Sequence, residues 1–474
     1  MTTPQPPSPA RRRLVLAICS MSLFVVGLDT TIVNVALPSI GAGLGVGTRG
    51  LEWTVDAYTL ALAGLLISSG ALADRFGRRR VFQLGLVVFA AASVACAAAP
   101  SVEALVAARI VQGVGGSMLS PVALAIVVNV ITDPKERARA IGVWAAIFGA
   151  SMALGPVTGG LLVSSLGWRS VFWAGVPLIA VVLLLTARYV PESRAPRPRG
   201  IDVPGQLLLI GLVGGAVALL IEGPHAGWTS PAVLAGAVLV TATLAAFVRV
   251  SLRRREPLID VRLFRRAPFT AAVLGAVVVF VALNVTLLLS TLYLQHARGL
   301  SPAAAGLVTL PMALAATVCA PLSGRLVGRS GPRLPLLVAG ASTVAGGLCL
   351  TPLHDRTALP VAYLLLGVGV GFANAPITNT AVAGLPADRA GVAGGITSTA
   401  RQFGAALGVA VAGGLVAGTG AGGLAGASRA GWVVVAGCGV LLLAVARVSP
   451  AASPAASPGA SPVLADRVAP VARS

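Results

Sequence analysis

Fourteen apolar runs constrain this chain more than anything else in it. They lie at about 14–37, 51–72, 80–99, 103–131, 138–163, 168–188, 203–221, 230–249, 269–294, 302–324, 334–352, 358–384, 391–417 and 429–447. Most reach the ~20 residues that a helix needs to cross a bilayer. Charged residues make up only 11% of the chain, against about a quarter in soluble domains. The expected class is an all-α polytopic membrane protein. A membrane β-barrel would show short alternating segments instead.

Charge sets the topology. Of the 35 Lys and Arg residues, five (Arg49, Arg169, Arg298, Arg356, Arg429) fall in loops that are outer if the N-terminus is cytoplasmic and every run crosses. Two, Arg109 and Arg401, lie within runs, and the remaining 28 fall in inner loops and tails. One miscounted span would invert every later loop, so the bias supports an even count with both termini cytoplasmic. The net charge of +20 is then a topology signal and a contact to anionic lipid, not a nucleic-acid footprint. The longest inner loop, 250–268, carries Arg253-Arg254-Arg255 and Arg265-Arg266. It reads as a solvated basic connector before it reads as a lipid-binding hinge.

Several chemistries are excluded. The five cysteines all fall inside apolar runs, with neither disulfide nor metal-ligand spacing. His225, His296 and His354 are scattered. No phosphate loop of the Gly-x-x-x-x-Gly-Lys-[Ser/Thr] kind is present, which argues against ATP. No nucleophile constellation or soluble catalytic domain exists, so no enzyme and no cofactor is expected. The start of the chain lacks a cleavable signal pattern. The Ala, Val, Gly and Arg richness has the look of a high-GC bacterial genome.

The chain repeats itself. Gly70-Ala71-Leu72-Ala73-Asp74-Arg75-Phe76-Gly77-Arg78-Arg79-Arg80 follows the second run, and Gly324-Arg325-Leu326-Val327-Gly328-Arg329-Ser330-Gly331 follows the tenth. Glu136-Arg137-Ala138 after the fourth run matches Asp388-Arg389-Ala390 after the twelfth. Both offsets are eight runs. The arrangement is six helices (14–188), two inserted helices (203–249), the linker 250–268, and six more (269–447). Residues 1–13 and 448–474 are expected to be disordered cytoplasmic tails. The second copy of the basic loop has Gly328 where the first has Asp74, so the halves differ chemically.

Polar residues inside the runs carry the functional argument. Asp29 stands in Leu28-Asp29-Thr30-Thr31-Ile32-Val33-Asn34. An acid within a membrane span is a functional candidate by default, here as a proton carrier; the alternative is an acid tied to a neighbouring helix for packing. Asp56, in Glu52-Trp53-Thr54-Val55-Asp56-Ala57-Tyr58, lies more than one turn inside the second run. It either binds a proton or cationic substrate, or sits in a wet vestibule. Arg109, in Arg109-Ile110-Val111-Gln112-Gly113-Val114-Gly115, is seven residues in from the outer end, roughly 10 Å. It must pair or face water. In Gly155-Pro156-Val157-Thr158-Gly159-Gly160, the proline bends its helix and the glycines admit a close neighbour. In the loop after the second run, Gly70 and Gly77 are expected to allow the turn, and Asp74, Arg75 and Arg78 to latch neighbouring elements. Arg401-Gln402-Phe403-Gly404 reads as topology and packing before substrate contact.

Together these stretches resemble the major facilitator superfamily, and within it the fourteen-helix drug:proton antiporters. The resemblance rests on the Asp74 loop, the Asp29 stretch, Arg-x-x-Gln-Gly-x-Gly at 109–115, the antiporter-type Gly155-Pro156-x-x-Gly159-Gly160 (with Ser151 where the family begins with Gly), and Arg401-Gln402-x-Gly404. It implies two parallel six-helix halves plus two inserted helices, and proton-driven export of a drug or antibiotic from a bacterial cell. It implies proton coupling at Asp29 and Arg109, with Asp56. It implies a substrate pathway past Asp29, Asn34, Asp56, Tyr58 and Gln112. A conformational switch is expected at Gly70, Asp74, Arg75, Gly77, Arg78, Gly155, Pro156, Gly159 and Gly160, with Arg401, Gln402 and Gly404 as the subfamily signature. The expected partners are protons, anionic lipid and a lipophilic small molecule, cationic or neutral. Two other functions stay open at this point: an uptake symporter on the same fold, and a sensor or scaffold that transports nothing.

Overall fold

A computed structural model describes residues 8–131, 133–195, 200, 202–254, 256–351, 358–383, 387–417 and 423–449. Those residues form helices and connections, with no strand among them. The first half holds α1 (Pro9–Leu44), α2 (Thr48–Phe76), α3 (Arg78–Ala98), α4 (Val102–Ser117), α5 (Ser120–Val130), α6 (Pro134–Leu166), α7 (Ser170–Trp173) and α8 (Val176–Tyr189). The inserted hairpin is α9 (Val203–Ala226) and α10 (Pro231–Arg253). The second half holds α11 (Ala267–Leu292), α12 (Pro302–Ser330), α13 (Arg333–Leu350), α14 (Ala358–Val382), α15 (Ala387–Val416) and α16 (Leu424–Val448).

Two expected runs are broken. α4 and α5 together cover the fourth, with the break at Met118–Leu119 just before Pro121. α7 and α8 cover the sixth, broken at Ala174–Gly175 before Pro177. Proline suits a first helical turn because its missing N–H would be unpaired there anyway. Thirteen helices among the described residues are long and apolar enough to cross a membrane. The run expected at 138–163 lies in α6, which is 33 residues long. Its described apolar part, Ala150–Leu166, is shorter than a full span.

The helices overrun the apolar runs, and this corrects two boundaries. α1 begins at Pro9, where Ser8 accepts a hydrogen bond from the Arg11 N–H. Arg11–Arg13, expected in a disordered tail, therefore lie in the first turns. α2 continues to Phe76 and α3 starts at Arg78, so the expected loop shrinks to Gly77. Gly77 has φ of 115°, a conformation that favours glycine. Gly70 sits inside α2 with open space around it and takes no part in the turn. Hydropathy stops at the first charge; the helix does not, because arginine stems can lie along the bundle. The linker 250–268 is likewise partly helical, with α10 reaching Arg253 and a 3-10 turn at Val261–Arg265. Buried Asp202 ties it down: it caps α9, pairs with Arg254 at 3.2 Å and accepts from the Leu258 N–H. Residues 1–7 and 450–474, the remainder of the expected tails, lie outside the described residues.

Helix contacts reproduce the repeat. Within the halves, α1·α6, α2·α4, α3·α4, α1·α8 and α3·α8 correspond to α11·α15, α12·α14, α13·α14, α11·α16 and α13·α16. Between the halves, α2 packs on α15 and α12 packs on α6. The eight-run offset exchanges those two pairs, and it maps the third pair, α1·α11, onto itself. The halves are thus related by a pseudo-two-fold axis running between α1 and α11.

The inserted hairpin packs through α9 on α2 and α15, and the two contacts differ in kind. On α2, the Gln206 side chain donates to the Gly64 carbonyl and accepts from the Ser68 hydroxyl. At the far end, Glu222 accepts from Arg49 (2.9 Å) and from the Trp53 indole (3.1 Å). Against α15, Val217 and Ile221 meet Ala406 and Ala410 in an apolar cluster. Gln206→Ala removes a second bond to the Gly64 carbonyl and leaves the buried Ser68 hydroxyl without its acceptor, at about 1–3 kcal/mol. The purified variant is expected to unfold at a lower temperature than the wild type, with α2 and the hairpin losing protection from hydrogen exchange first.

Candidate functional site

α4 carries Arg109 and Gln112 one turn apart, so both face the same way. They meet Asp29 of α1. All three are buried, with Arg109 only 1% exposed. Arg109 Nη1 donates to Asp29 Oδ2 (2.8 Å) and to Gln112 Oε1 (2.6 Å). Gln112 Nε2 donates to Asp29 Oδ1 (3.0 Å) and to Ser93 Oγ of α3 (2.9 Å). Arg109 Nε donates to the Thr54 carbonyl of α2 (3.0 Å), and the guanidinium lies 4.2 Å from the centre of the Tyr58 ring. Four helices of one half thus converge on a single neutral ion pair.

The glycines beside Arg109 make this convergence possible. A Cβ at Gly113 would stand 2.5 Å from the Tyr58 carbonyl, and one at Gly115 2.6 Å from the Phe89 N. α4 therefore presses against the backbones of α2 and α3, within reach of their polar groups. A buried charge is tolerable when paired and hydrogen-bonded on all sides, and both Asp29 oxygens are engaged here.

Asp56 stands apart from this network. It is fully buried on α2, one turn from Glu52, which is also buried. Among the described residues, no hydrogen-bond partner meets any of the four carboxylate oxygens. Glu52 fills the notch left by Gly413 of α15, so this acid lies between the halves. Sequence reasoning passed over Glu52; its spacing of four from Asp56 on a helix was the available signal. It also passed over Gln206.

The Gly155–Gly160 stretch of α6 faces two ways. Gly155 and Gly159 lie against Thr31 and Ile32 of α1, and a Cβ at Gly159 would be 2.8 Å from Ile32 Cγ1. Gly160 lies against α12 of the other half, 2.5 Å from the Pro302 carbonyl by the same measure. Pro156 borders a narrow cavity between the halves. Thr31 and Asn34 flank it on the first-half side, and Leu287, Thr291 and Thr309 on the second. Gln295, just after α11, donates through Nε2 to the Val35 carbonyl of α1 (3.0 Å), a bond between the halves. Of the expected pathway residues, Asn34 lines this cavity, whereas Asp29, Tyr58 and Gln112 belong to the ion-pair network and Asp56 to neither. Thr291 and Thr309 carried no sequence signal, being ordinary small polar residues in apolar runs.

The remaining expected residues are structural neighbours of these. Asp74 Oδ1 accepts from Arg78 Nε (3.1 Å) and Nη2 (2.9 Å). The segment after α8 wraps the turn: Ser193 and Asp74 carbonyls accept from Arg78 and Ala195 N–H groups, and Glu192 accepts from the Arg79 N–H. These contacts join α2, α3 and the end of α8, all within the first half. Arg75 lies over the Phe76 ring. Arg401 Nη2 reaches Thr378 Oγ1 of α14 (3.1 Å), Gln402 is half-buried beside it, and Gly404 packs on the Val277 backbone of α11.

Similarity to known proteins agrees with this architecture. The chain is 42% identical over 406 residues to the multidrug resistance protein Stp of Mycobacterium tuberculosis, covering 85% of this chain and 76% of that one. It is 36% identical over 406 residues to the tetracenomycin C resistance and export protein of Streptomyces glaucescens, with 85% and 75% covered. In fold it is similar to a bacterial homologue of the human lysosomal transporter Spinster in an inward-facing, unoccupied conformation. That match has a TM-score of 0.63 and 20% identity, and covers 93% of this chain and 97% of the other. The sequence profile of the Major Facilitator Superfamily matches residues 19–409. With its paired six-helix halves and the profile running through both, the chain belongs to the major facilitator superfamily.

Proposed function

We propose that this protein is a proton-driven exporter of lipophilic drugs or antibiotics, of the fourteen-span antiporter kind. Its place is the plasma membrane of a bacterium, with both termini cytoplasmic. The observation that carries the reading is the position of Asp29. It pairs with Arg109 inside one half, on the same helix as Thr31 and Asn34, which border the cavity between the halves. Asn34 is five residues along α1 from Asp29, about 7.5 Å at helical rise. A change at the ion pair therefore reaches the cavity through one rigid helix.

The steps follow from the contacts. A proton on Asp29 removes the charge that balances Arg109. The guanidinium keeps the Thr54 carbonyl, Gln112 and the Tyr58 face, and α1 loses its anchor to α4. α1 is held on its other side by Gly155 and Gly159 of α6, so α6 moves with it. α6 in turn abuts α12 through Gly160. The halves rock about the cavity, and substrate leaves on the outer side as the proton enters. Glu52, between α2 and the opposite half, and Asp56 one turn along α2 supply a second place for a proton on the outer side. Relatives named for drug and antibiotic export support the direction and the substrate kind.

Inside-out vesicles with an imposed proton gradient test this directly. Wild-type vesicles are expected to accumulate members of a drug panel only while the gradient lasts. Asp29→Asn, which keeps the shape and loses the titrating group, is expected to abolish gradient-driven accumulation. Equal accumulation by the variant would remove Asp29 from the mechanism, and accumulation in the opposite direction would make the protein an uptake symporter.

A further inference from the structure

Glu52 stands where the two halves touch. Its side chain fills the notch that Gly413 leaves in α15, with only 1% of the residue exposed. Among the described residues, neither of its oxygens has a hydrogen-bond partner. A carboxylate taken out of water without a donor or a counter-charge is stable only in its neutral form. Glu52 therefore carries a proton while α15 covers it.

A counter-charge is close by but is held elsewhere. Arg49 lies three residues before Glu52 on α2, so the two share a face of the helix. Arg49 instead grips Glu222 of α9, with Nε on Oε1 (2.9 Å) and Nη2 on Oε2 (2.7 Å). The Trp53 indole adds a third bond to Glu222 (3.1 Å). A two-pronged pair of this kind is the strong form of an arginine–carboxylate contact. The other groups at this end of α2 give an ionised Glu52 no support. Asp56, one turn on, is itself an acid without a hydrogen-bond partner among the described residues. His225 of α9 is turned to its own helix, with Nδ1 2.8 Å from the Ile221 carbonyl. Glu103, at the start of α4, is exposed, and Arg109 is engaged with Asp29. α1 beyond Asp29, α3 beyond Arg80 and α15 beyond Arg401 carry no charged residue.

We propose that Glu52 is a proton-operated seal: the seam between α2 and α15 closes only when Glu52 has taken a proton from the outer water, and the inserted hairpin enforces this by keeping Arg49 on Glu222. When α15 withdraws, water reaches Glu52 and the proton leaves to that water. The carboxylate then stands beside Arg49 and competes for it with Glu222. Closing again requires the proton to return, so acid favours closure and alkali favours separation. The inference rests on the export reading for which side is outer. It gives the two inserted helices a task that export as such does not assign.

The test is the separation of α2 and α15 as a function of pH, with no drug and no gradient present. It is read by spin labels on Thr48→Cys and Ala417→Cys, at the ends of the two helices. The full chain is held in lipid nanodiscs, with its five native cysteines changed to alanine. The separation is expected to lengthen as pH rises from about 5 to about 9, a range that spans ordinary and buried carboxylates. Glu52→Gln, neutral at every pH, is expected to stay short throughout. Glu222→Gln releases Arg49 to the ionised acid, so its midpoint is expected to fall, by up to about 0.7 of a pH unit for an exposed pair. Arg49→Gln removes the cation and is expected to move the midpoint up. Gly413→Ala crowds Glu52 out of its notch and is expected to separate at lower pH than the wild type; it serves where Glu52→Gln fails to fold. The inference is overturned if the wild-type separation ignores pH, or if Glu52→Gln keeps the wild-type profile. It is also overturned if Glu222→Gln and Arg49→Gln shift the midpoint the same way, or if Gly413→Ala leaves it in place. In an Asp29→Asn background the profile is expected to persist; its loss there would assign the response to Asp29 and overturn the inference too. The separation is read without transport, so it and the vesicle result can each fail alone.

Discussion

Arg109→Ala is expected to destabilise the protein by about 3–5 kcal/mol, because it leaves the buried Asp29 carboxylate without its counter-charge. It also withdraws a donor from the Thr54 carbonyl and from Gln112 Oε1. Thermal unfolding of the purified protein measures the loss. The pairing is separated from mere packing by the double variant Asp29→Asn, Arg109→Ala. With neither charge present, that chain is expected to recover a large part of the stability lost by Arg109→Ala alone. Gradient-driven transport is expected to be absent from both. A double variant as unstable as the single one would mean that Arg109 acts chiefly by filling space beside Tyr58 and Phe172.

Gly160→Val is expected to reduce transport more than tenfold while the chain still folds. A Cβ there would meet the Pro302 carbonyl at 2.5 Å and Ala303 Cα at 2.7 Å. Both are backbone atoms of α12, and backbone cannot swing aside as a side-chain tip does. The ends of α6 and α12 must separate, so the arrangement described here, closed where Gln295 meets Val35, becomes inaccessible. Gly324→Ala on α12, where nothing lies within 4 Å, is the control and is expected to transport normally. Vesicle transport beside thermal unfolding separates a blocked cycle from a broken fold. Normal transport by Gly160→Val would mean that the α6–α12 contact yields without cost.

The two-half architecture was legible because bilayer thickness fixes a length that hydropathy detects, and because the Asp74 and Gly324 loops recur at one offset. Asp29, Arg109 and Gln112 were legible because charge and amide groups inside apolar runs are costly and therefore few. That they meet one another was not, since helix spacing gives the face of a side chain but not the neighbouring helix. Asp56 was singled out on the same grounds as Asp29, yet the two occupy unlike surroundings: one acid is fully paired, the other has no hydrogen-bond partner among the described residues. Glu52 escaped notice at the edge of its run, where an acid looks like the beginning of a loop. Thr291 and Thr309 escaped because threonine can bond its own backbone and so leaves no mark in hydropathy. The loop at Gly77 was misjudged for the opposite reason: its arginines end the apolar run several residues before they end the helix.

The unequal fastening of the inserted hairpin has a mechanical consequence. Gln206 and Glu222 bind α9 to α2 at two levels, while the contact described with α15 is a smooth apolar track. When the halves tilt, the hairpin travels with the first and glides along the second. The rocking bodies therefore have different cross-sections in the bilayer, and the wider one carries the lipid-facing flank of α10. Membrane viscosity and thickness act on the two bodies unequally, so the speed of the cycle is expected to respond to lipid composition mainly through the half that carries the hairpin.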